Sequence, residues 1–113
     1  MVAATLDRMS RASTLHKKVM REDLKPGDWI IVRTHSSEYR LQMLKNGMVH
    51  ATGGWFDKKG FTPAIIGVSG ATWGGSCYLP GVFVAVGLRL EFRNRLITSP
   101  VKEIVVFPGR VGN

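Results

Sequence analysis

Apolar and polar residues alternate with a period of two over much of residues 24–108, a pattern typical of β-strands. Trp29–Thr34 is rich in β-branched residues, and Glu38–Leu44 places Tyr39, Leu41 and Met43 on one face. Val101–Phe107 forms the last strand of this kind. Turn residues recur roughly every 8–12 residues, and no helices alternate with the strands. The pattern predicts an all-β fold, a small antiparallel barrel or sandwich of about six to seven short strands.

The clearest alternation runs from Val82 to Phe92. Its even-numbered residues are all apolar, and its odd-numbered residues are mostly polar or small, with Phe83 as the exception. We therefore expect one long strand with a buried face and an exposed face. Gly87 in its middle indicates a bulge or a sharp bend, the feature that curls a sheet into a barrel.

The pair Asn46-Gly47 is a strong local signal for a hairpin. Both residue types tolerate a positive φ, which a two-residue type I′ turn requires at both of its central positions. The turn also fixes the register of the two strands that it joins. It predicts that Lys45 lies opposite Met48, Leu44 opposite Val49, Met43 opposite His50 and Gln42 opposite Ala51.

Two glycine-rich segments flank a predicted strand at Thr62–Ser69. We expect Gly53–Gly60 to be a loop that carries two aromatic residues and two lysines, and Gly70–Cys77 to be a second loop that carries Trp73. The second loop lacks the Gly-Lys-Ser/Thr sequence and the following helix with which a phosphate loop holds charge. Turns with glycine at positive φ explain it better.

Residues 1–23 differ from the rest of the chain. They are basic, and their apolar residues follow the helical period only poorly. We predict a short helix or a disordered basic arm, which could contact nucleic acid or an acidic surface. A further alternative is that translation starts at Met20. Whichever alternative holds for residues 1–23, we expect residues 24–108 to form a single β-barrel-like domain and residues 109–113 to form a tail.

Composition narrows the classes of function. The chain has 113 residues, a formal net charge of +8 and a single Cys, which excludes an internal disulfide. Its apolar runs fall short of the roughly 20 residues of a membrane span, so we expect a cytoplasmic protein without a membrane partner. A domain this small has little room for a deep active site. We expect no cofactor, and an enzyme is the less favoured class.

The reactive residue types form no recognisable catalytic or metal-binding motif. Cys77 could be a nucleophile only beside a base, and the sequence places no histidine near it. His16, His35 and His50 are isolated and do not have the spacing of metal ligands. The acidic residues likewise form no acid–base pair.

Positive charge beside aromatic residues is the feature that points most directly to a function. Small barrels bind single strands with cations and aromatic platforms. Nucleic acid or another polyanion is therefore the first candidate partner, although the usual nucleic-acid-binding motifs are absent. The predicted binding residues are Arg33, Arg40, Trp55, Lys58, Lys59, Trp73, Arg89, Arg93 and Arg95.

Two other functions remain open. The chain could be a protein-interaction or self-assembly module that forms a homo-oligomer through exposed Trp29, Tyr78 and Phe83. It could also bind a small ligand at the mouth of the barrel, between the glycine-rich segments. In that case Trp55, Trp73, Ser76 and Cys77 should line one pocket.

Several segments together resemble a family of short, uncharacterised bacterial all-β proteins. The resemblance covers about residues 24–106 and implies that this part of the chain is one autonomous unit. Because the family has no known activity, the resemblance implies no functional residues. The segments are Leu24–Asp28, Val32–Thr34 with Ser37 and Tyr39, Thr52–Asp57, Thr72–Ser76, Gly87–Phe92 and Thr98–Val101.

Overall fold

The computed structural model describes residues 14–74 and 77–109. Within these ranges the chain forms ten β-strands and one α-helix, with short 3₁₀ turns at Arg21–Asp23 and Lys45–Gly47. The strands are β1 (Thr14–His16), β2 (Lys18–Met20), β3 (Trp29–Thr34), β4 (Glu38–Met43), β5 (Met48–Gly53), β6 (Ala64–Gly74), β7 (Cys77–Tyr78), β8 (Val82–Ala85), β9 (Arg89–Phe92) and β10 (Val101–Phe107), and the helix is α1 (Gly54–Lys59).

The strands form a curled antiparallel sheet, a half-barrel, and a small second sheet. The main sheet has the order β1-β10-β3-β4-β5-β6-β7, and β9 also pairs with β6. Strands β2 and β8 pair with each other as the second sheet. The all-β fold predicted from the alternation is confirmed, although the chain divides into more strands than expected.

The core lies inside the curl of the main sheet. Alternate side chains of β3, β4 and β5 point into it, and β8, β9, β10 and α1 supply the rest. Its largest fully buried side chains are Phe56, Phe83, Phe92, Ile30, Leu41, Leu90 and Ile104. A smaller apolar cluster of Ala71, Val82 and Ala85 lies between β6 and β8.

Two of the predicted strands are found with the same bounds. Trp29–Thr34 and Val101–Phe107 pair with each other as β3 and β10. Strand β4 begins at Glu38 as predicted, and Tyr39, Leu41 and Met43 are buried on one face. Long runs of β-branched residues bounded by turns therefore located these strands correctly.

The predicted register of the β4–β5 hairpin is wrong by one residue. Met43 lies opposite Val49, not His50, and Gln42 lies opposite His50. Asn46 and Gly47 do take positive φ values of 68° and 75°. The backbone N–H of Leu44, however, donates to the carbonyl of Met48 at 2.8 Å, which closes a three-residue loop in place of a two-residue turn.

The expected long strand at Val82–Phe92 is divided into β8 and β9. Gly87 takes a φ of 91° within a turn, and Val86 is 39% exposed instead of buried. All four residues of β8 are buried because Phe83 and Val84 join the main core while Val82 and Ala85 join the smaller cluster. The prediction of a bend at Gly87 is correct, but the prediction of one long strand with a continuous buried face is wrong.

Neither glycine-rich segment is mainly a loop. Gly53–Gly60 contains helix α1, and most of Gly70–Cys77 extends β6 and begins β7. Gly70 has a φ of 135° beside a shift in the β6–β9 register, so the glycine allows a bulge within a continuing strand.

The prediction of a helical or disordered arm is wrong for the described part of residues 1–23. Thr14–His16 pairs with β10, and Lys18–Met20 pairs with β8. The guanidinium of Arg21 donates to the carbonyls of Val68 and Ser69 at 2.9 Å, which holds the following turn against β6. Residues 1–13 lie outside the described ranges.

Candidate functional site

Helix α1 lies at the end of the half-barrel where β5 stops. Gly53 begins it with a φ of 92°, and Gly60 ends it in the left-handed conformation, with a φ of 71°. The Asp57 carboxylate accepts a hydrogen bond from the backbone N–H of Gly53 at 3.0 Å. The first N–H groups of a helix have no partner within the helix, and the Asp57 carboxylate supplies one for Gly53. Gly53 has no side chain with which to cap the helix, so this contact stabilises the start of α1 in its place.

The environment of Asp57 favours its ionised form. The hydrogen bond from Gly53 lowers the pKa of this carboxyl most, and a hydrogen bond from Thr62 and the charge of Arg40 lower it further. A lowered pKa in the folded state stabilises the fold above the usual aspartate range, and this stabilisation is lost as the pH falls through the lowered value. The start of α1 is therefore held at neutral pH.

Aromatic packing fixes α1 to the core. Phe56 is fully buried, and its ring meets those of Tyr39 and Phe92 edge-on, with centroids 6.1 and 5.1 Å apart. The next residue towards the start of the helix, Trp55, donates its backbone N–H to the Tyr39 hydroxyl at 3.3 Å. The Trp55 ring itself packs edge-on against Phe56, with the centroids 5.4 Å apart, and its side chain is half-buried.

An open cavity of about 210 Å³ lies beside Trp55, and we call it the helix-end cleft. Lys58 lies on the same wall, one turn after Trp55. Six side chains with a hydroxyl group line the cleft, and two aliphatic side chains, Leu96 and Ile97, complete the lining. The cleft is lined by Thr34, Ser36, Ser37, Tyr39, Trp55, Lys58, Leu96, Ile97, Thr98 and Ser99.

Backbone pairing holds the polar wall of the cleft. The N–H of Ser36 donates to Ser99 Oγ at 3.0 Å, and the N–H of His35 donates to the carbonyl of Pro100 at 2.9 Å. These contacts join the turn after β3 to the segment before β10. Ser99 Oγ accepts in this contact, so its own O–H remains a donor for a ligand. The Thr34 and Thr98 hydroxyls already donate to the carbonyls of Ser37 and Ser99, so the donors that the cleft can offer a ligand include its serine hydroxyls and the Lys58 ammonium.

The structure brings some of the predicted binding residues together. Trp55 and Lys58 line the helix-end cleft, and exposed Lys59 follows them on α1. Arg95 is exposed in the turn that leads to the cleft residue Leu96, and it takes a φ of 72°. Phe61, 59% exposed, contacts the Trp55 ring with the centroids 5.6 Å apart.

Two predicted binding residues are neutralised on the outer face of the sheet. Arg33 forms an ion pair with Glu103 at 2.7 Å, and Arg40 forms one with Glu38 at 3.4 Å. Each carboxylate lies on a neighbouring position of the same face, so the local charge of each pair is close to zero. These arginines are separate from the helix-end cleft.

The remaining predicted residues lie on the β6–β9 side. Arg89 donates to the carbonyl of Thr98 at 3.2 Å, behind the cleft. Arg93 lies over Gly67, which has no side chain to block it. Trp73 is 61% exposed near the far end of β6. Nine residues separate it from the start of β6 at Ala64, a distance of roughly 30 Å along an extended strand.

The expected pocket of Trp55, Trp73, Ser76 and Cys77 is not formed by the described residues. Trp55 lines the helix-end cleft, whereas Trp73 and Cys77 lie on the β6–β7 hairpin; Ser76 falls outside the described ranges. Among the predicted contact residues for self-assembly, Phe83 is fully buried, so that assignment is wrong. Trp29 and Tyr78 are exposed.

Sequence reasoning missed the hydroxyl wall of the cleft. Ser36 and Ser37 follow β3, and Thr98 and Ser99 precede β10. Each pair has the composition of an ordinary turn, and only the β3–β10 pairing brings them together. Phe61 was also missed because it follows a segment expected to be a loop.

The described residues contain no group of three or more His, Cys, Asp or Glu side chains that could hold a metal ion. Every helix in residues 14–74 and 77–109 is too short or too polar to pass through a bilayer. Comparison with protein-family models, curated proteins and solved structures finds no match for the chain. The resemblance to a bacterial family therefore stays a prediction.

Proposed function

We propose that the protein binds single-stranded nucleic acid at the helix-end cleft. The observation that carries the proposal is that Trp55, Lys58 and several hydroxyl side chains line the same cleft. A base can stack on the indole while the lysine meets a phosphate and the hydroxyls meet phosphate or sugar oxygens. The cleft thus supplies the three kinds of contact that a nucleotide offers.

The aromatic residues favour single strands over duplexes. Bases in a duplex are stacked on each other, and their faces are available to protein side chains only when the strand is open. The Trp55 and Phe61 rings are inclined by 46°, so they can stack on successive bases only if the strand bends. Stacking on one aromatic ring contributes roughly 1–3 kcal/mol per base and depends little on sequence.

The cations around the cleft can follow the backbone of the strand. Lys58, Lys59 and Arg95 are exposed, and none of them forms an ion pair within residues 14–74 and 77–109. The net charge of +8 also attracts a polyanion over a longer range. Binding should therefore weaken with salt, by a slope of roughly 0.7 per phosphate contact on a log–log plot.

Fluorescence anisotropy of a labelled oligothymidylate, titrated with the protein at several salt concentrations, tests the proposal. We expect W55A to reduce the affinity about 5- to 100-fold because a stacked base loses its platform. We expect K58Q to reduce the salt slope by about 0.7 because one phosphate contact is lost.

Matched controls lie away from the cleft. Trp73 is an exposed tryptophan at the distal end of β6, and Lys45 is an exposed lysine in the β4–β5 turn. W73A and K45Q should leave the affinity and the salt slope nearly unchanged. The proposal is wrong if the oligonucleotide does not bind at low salt, or if the control variants weaken binding as much as the cleft variants.

A further inference from the structure

The outer face of the main sheet carries a continuous group of apolar side chains, which we call the outer apolar patch. Leu15 of β1 lies opposite Val105 of β10, and Val105 lies opposite Ile31 of β3. In the adjacent row Phe107 lies opposite Trp29. Leu15 is 66% exposed and Trp29 is 37% exposed, and the other three are half-buried.

The outer apolar patch is not required by the core. Ile30, Val32 and Ile104 alternate with the patch residues along the same strands, and they are fully buried on the inner face. One face of an antiparallel sheet is commonly polar when it meets water. Apolar side chains on both faces of β3 and β10 indicate that the outer face also has something to contact.

The charges next to the outer apolar patch are paired. Arg33 and Glu103 form one ion pair, and Arg40 and Glu38 form the other. The charges of these four residues cancel, although the whole chain carries a charge of +8. A polyanion would therefore gain little electrostatic attraction from these paired charges. A partner surface that is also apolar and also carries paired charges is complementary to the patch.

We infer that the outer apolar patch binds the same patch of a second copy of this chain. A two-fold axis places identical surfaces against each other, so an apolar patch bordered by balanced charges is complementary to itself. Arg33 of one copy can then meet Glu103 or Glu38 of the other without leaving an unpaired charge. A second copy of the chain carries the same apolar side chains and the same two ion pairs, so its surface matches the patch.

The size of the face indicates a weak dimer. Beyond the patch the outer face continues through polar Gln42 of β4 and His50 of β5 to Ile65 of β6, which is 66% exposed. Six adjacent strands span about 24 Å, and three rows of side chains span about 20 Å, which gives about 500 Å² for each copy. About 1,000 Å² in total is near the lower limit for a specific interface.

Salt distinguishes this contact from nucleic-acid binding. Two copies that each carry +8 repel each other, and added salt screens that repulsion. Self-association through the patch should therefore strengthen with salt, whereas binding of an oligonucleotide should weaken. The dimer does not depend on the helix-end cleft, so either proposal can fail while the other stands.

Sedimentation velocity of the full chain over a range of concentrations, at low and high salt, tests the dimer. We expect a concentration-dependent dimer that is more populated at high salt. L15D and I31E should each weaken association at least 10-fold, and L15D alters an exposed edge residue that the core does not need. V86D adds the same charge at an exposed position of the β8–β9 turn and should leave the dimer unchanged.

Two results would overturn the inference. One is a strict monomer at the highest attainable concentration and at high salt, which would mean that the outer apolar patch does not bind a second copy. The other is a dimer that L15D, I31E and V86D weaken equally, because the interface would then lie elsewhere or respond only to net charge.

Discussion

Replacing Gly53 with alanine should cost about 2–6 kcal/mol of folding free energy, because backbone strain and overpacking add at this position. Gly53 has a φ of 92° and a ψ of 178°, a conformation that is open almost only to glycine. A Cβ there would also overlap the carbonyl oxygen of Glu38 on the neighbouring strand. Both effects act where β5 turns into α1, so we expect the helix to be displaced.

Chemical denaturation of G53A measures this cost, and G60A is its control. Gly60 has a φ of 71°, but a Cβ there would meet nothing within 4 Å. G60A should therefore show only the left-handed strain of about 1–2 kcal/mol. Equal losses in the two variants would mean that the close approach of Gly53 to Glu38 contributes nothing to stability.

Replacing Phe56 with alanine should cost about 3–5 kcal/mol, because a fully buried aromatic ring leaves a cavity. Small domains have a total stability of about 5–15 kcal/mol, so this is a large part of the total. The Phe56 ring touches those of Tyr39, Trp55 and Phe92. Its loss should also release Trp55 and weaken oligonucleotide binding in the molecules that remain folded.

Phe61 gives a matched comparison for Phe56, because it lies just after the same helix but is 59% exposed. F61A should change the free energy of unfolding by about 0.5 kcal/mol or less. If urea unfolding showed similar losses for F56A and F61A, α1 would not be fixed to the core through Phe56.

The local pattern was sufficient to predict the fold class and several strands. β3 and β10 are β-branched runs that end at turn residues, and these signals need no partner strand to be recognised. The curl at Gly87 was also visible, because a glycine inside an alternating run commonly marks a bulge or a tight bend. These predictions rest on chemistry within a few residues.

The errors arose where tertiary packing determines the outcome. Strict alternation from Val82 to Phe92 suggested one buried face, but β8 lies between two apolar clusters and is buried on both faces. The β4–β5 register depends on which carbonyl Leu44 bonds, and Asn46-Gly47 fits either loop. The sequence of the loop alone therefore does not distinguish the two-residue loop from the three-residue loop.

The candidate site was only half visible in the sequence. Trp55 and Lys58 stood out because an aromatic residue and a cation lie close together in the chain. Ser36 and Ser99 are 63 residues apart, and they meet only because β3 pairs with β10. Long-range strand pairing therefore brings together the residues of the hydroxyl wall and those of the outer apolar patch, and local sequence patterns do not show this pairing.

The most direct test of the proposed function is an NMR titration of the three tryptophan indole N–H groups with a short oligothymidylate at low salt. The proposal predicts a large shift for Trp55 in the helix-end cleft and small shifts for Trp29 on the outer apolar patch and for Trp73 on β6. Saturable shifts at Trp29 or Trp73 with none at Trp55 would contradict it.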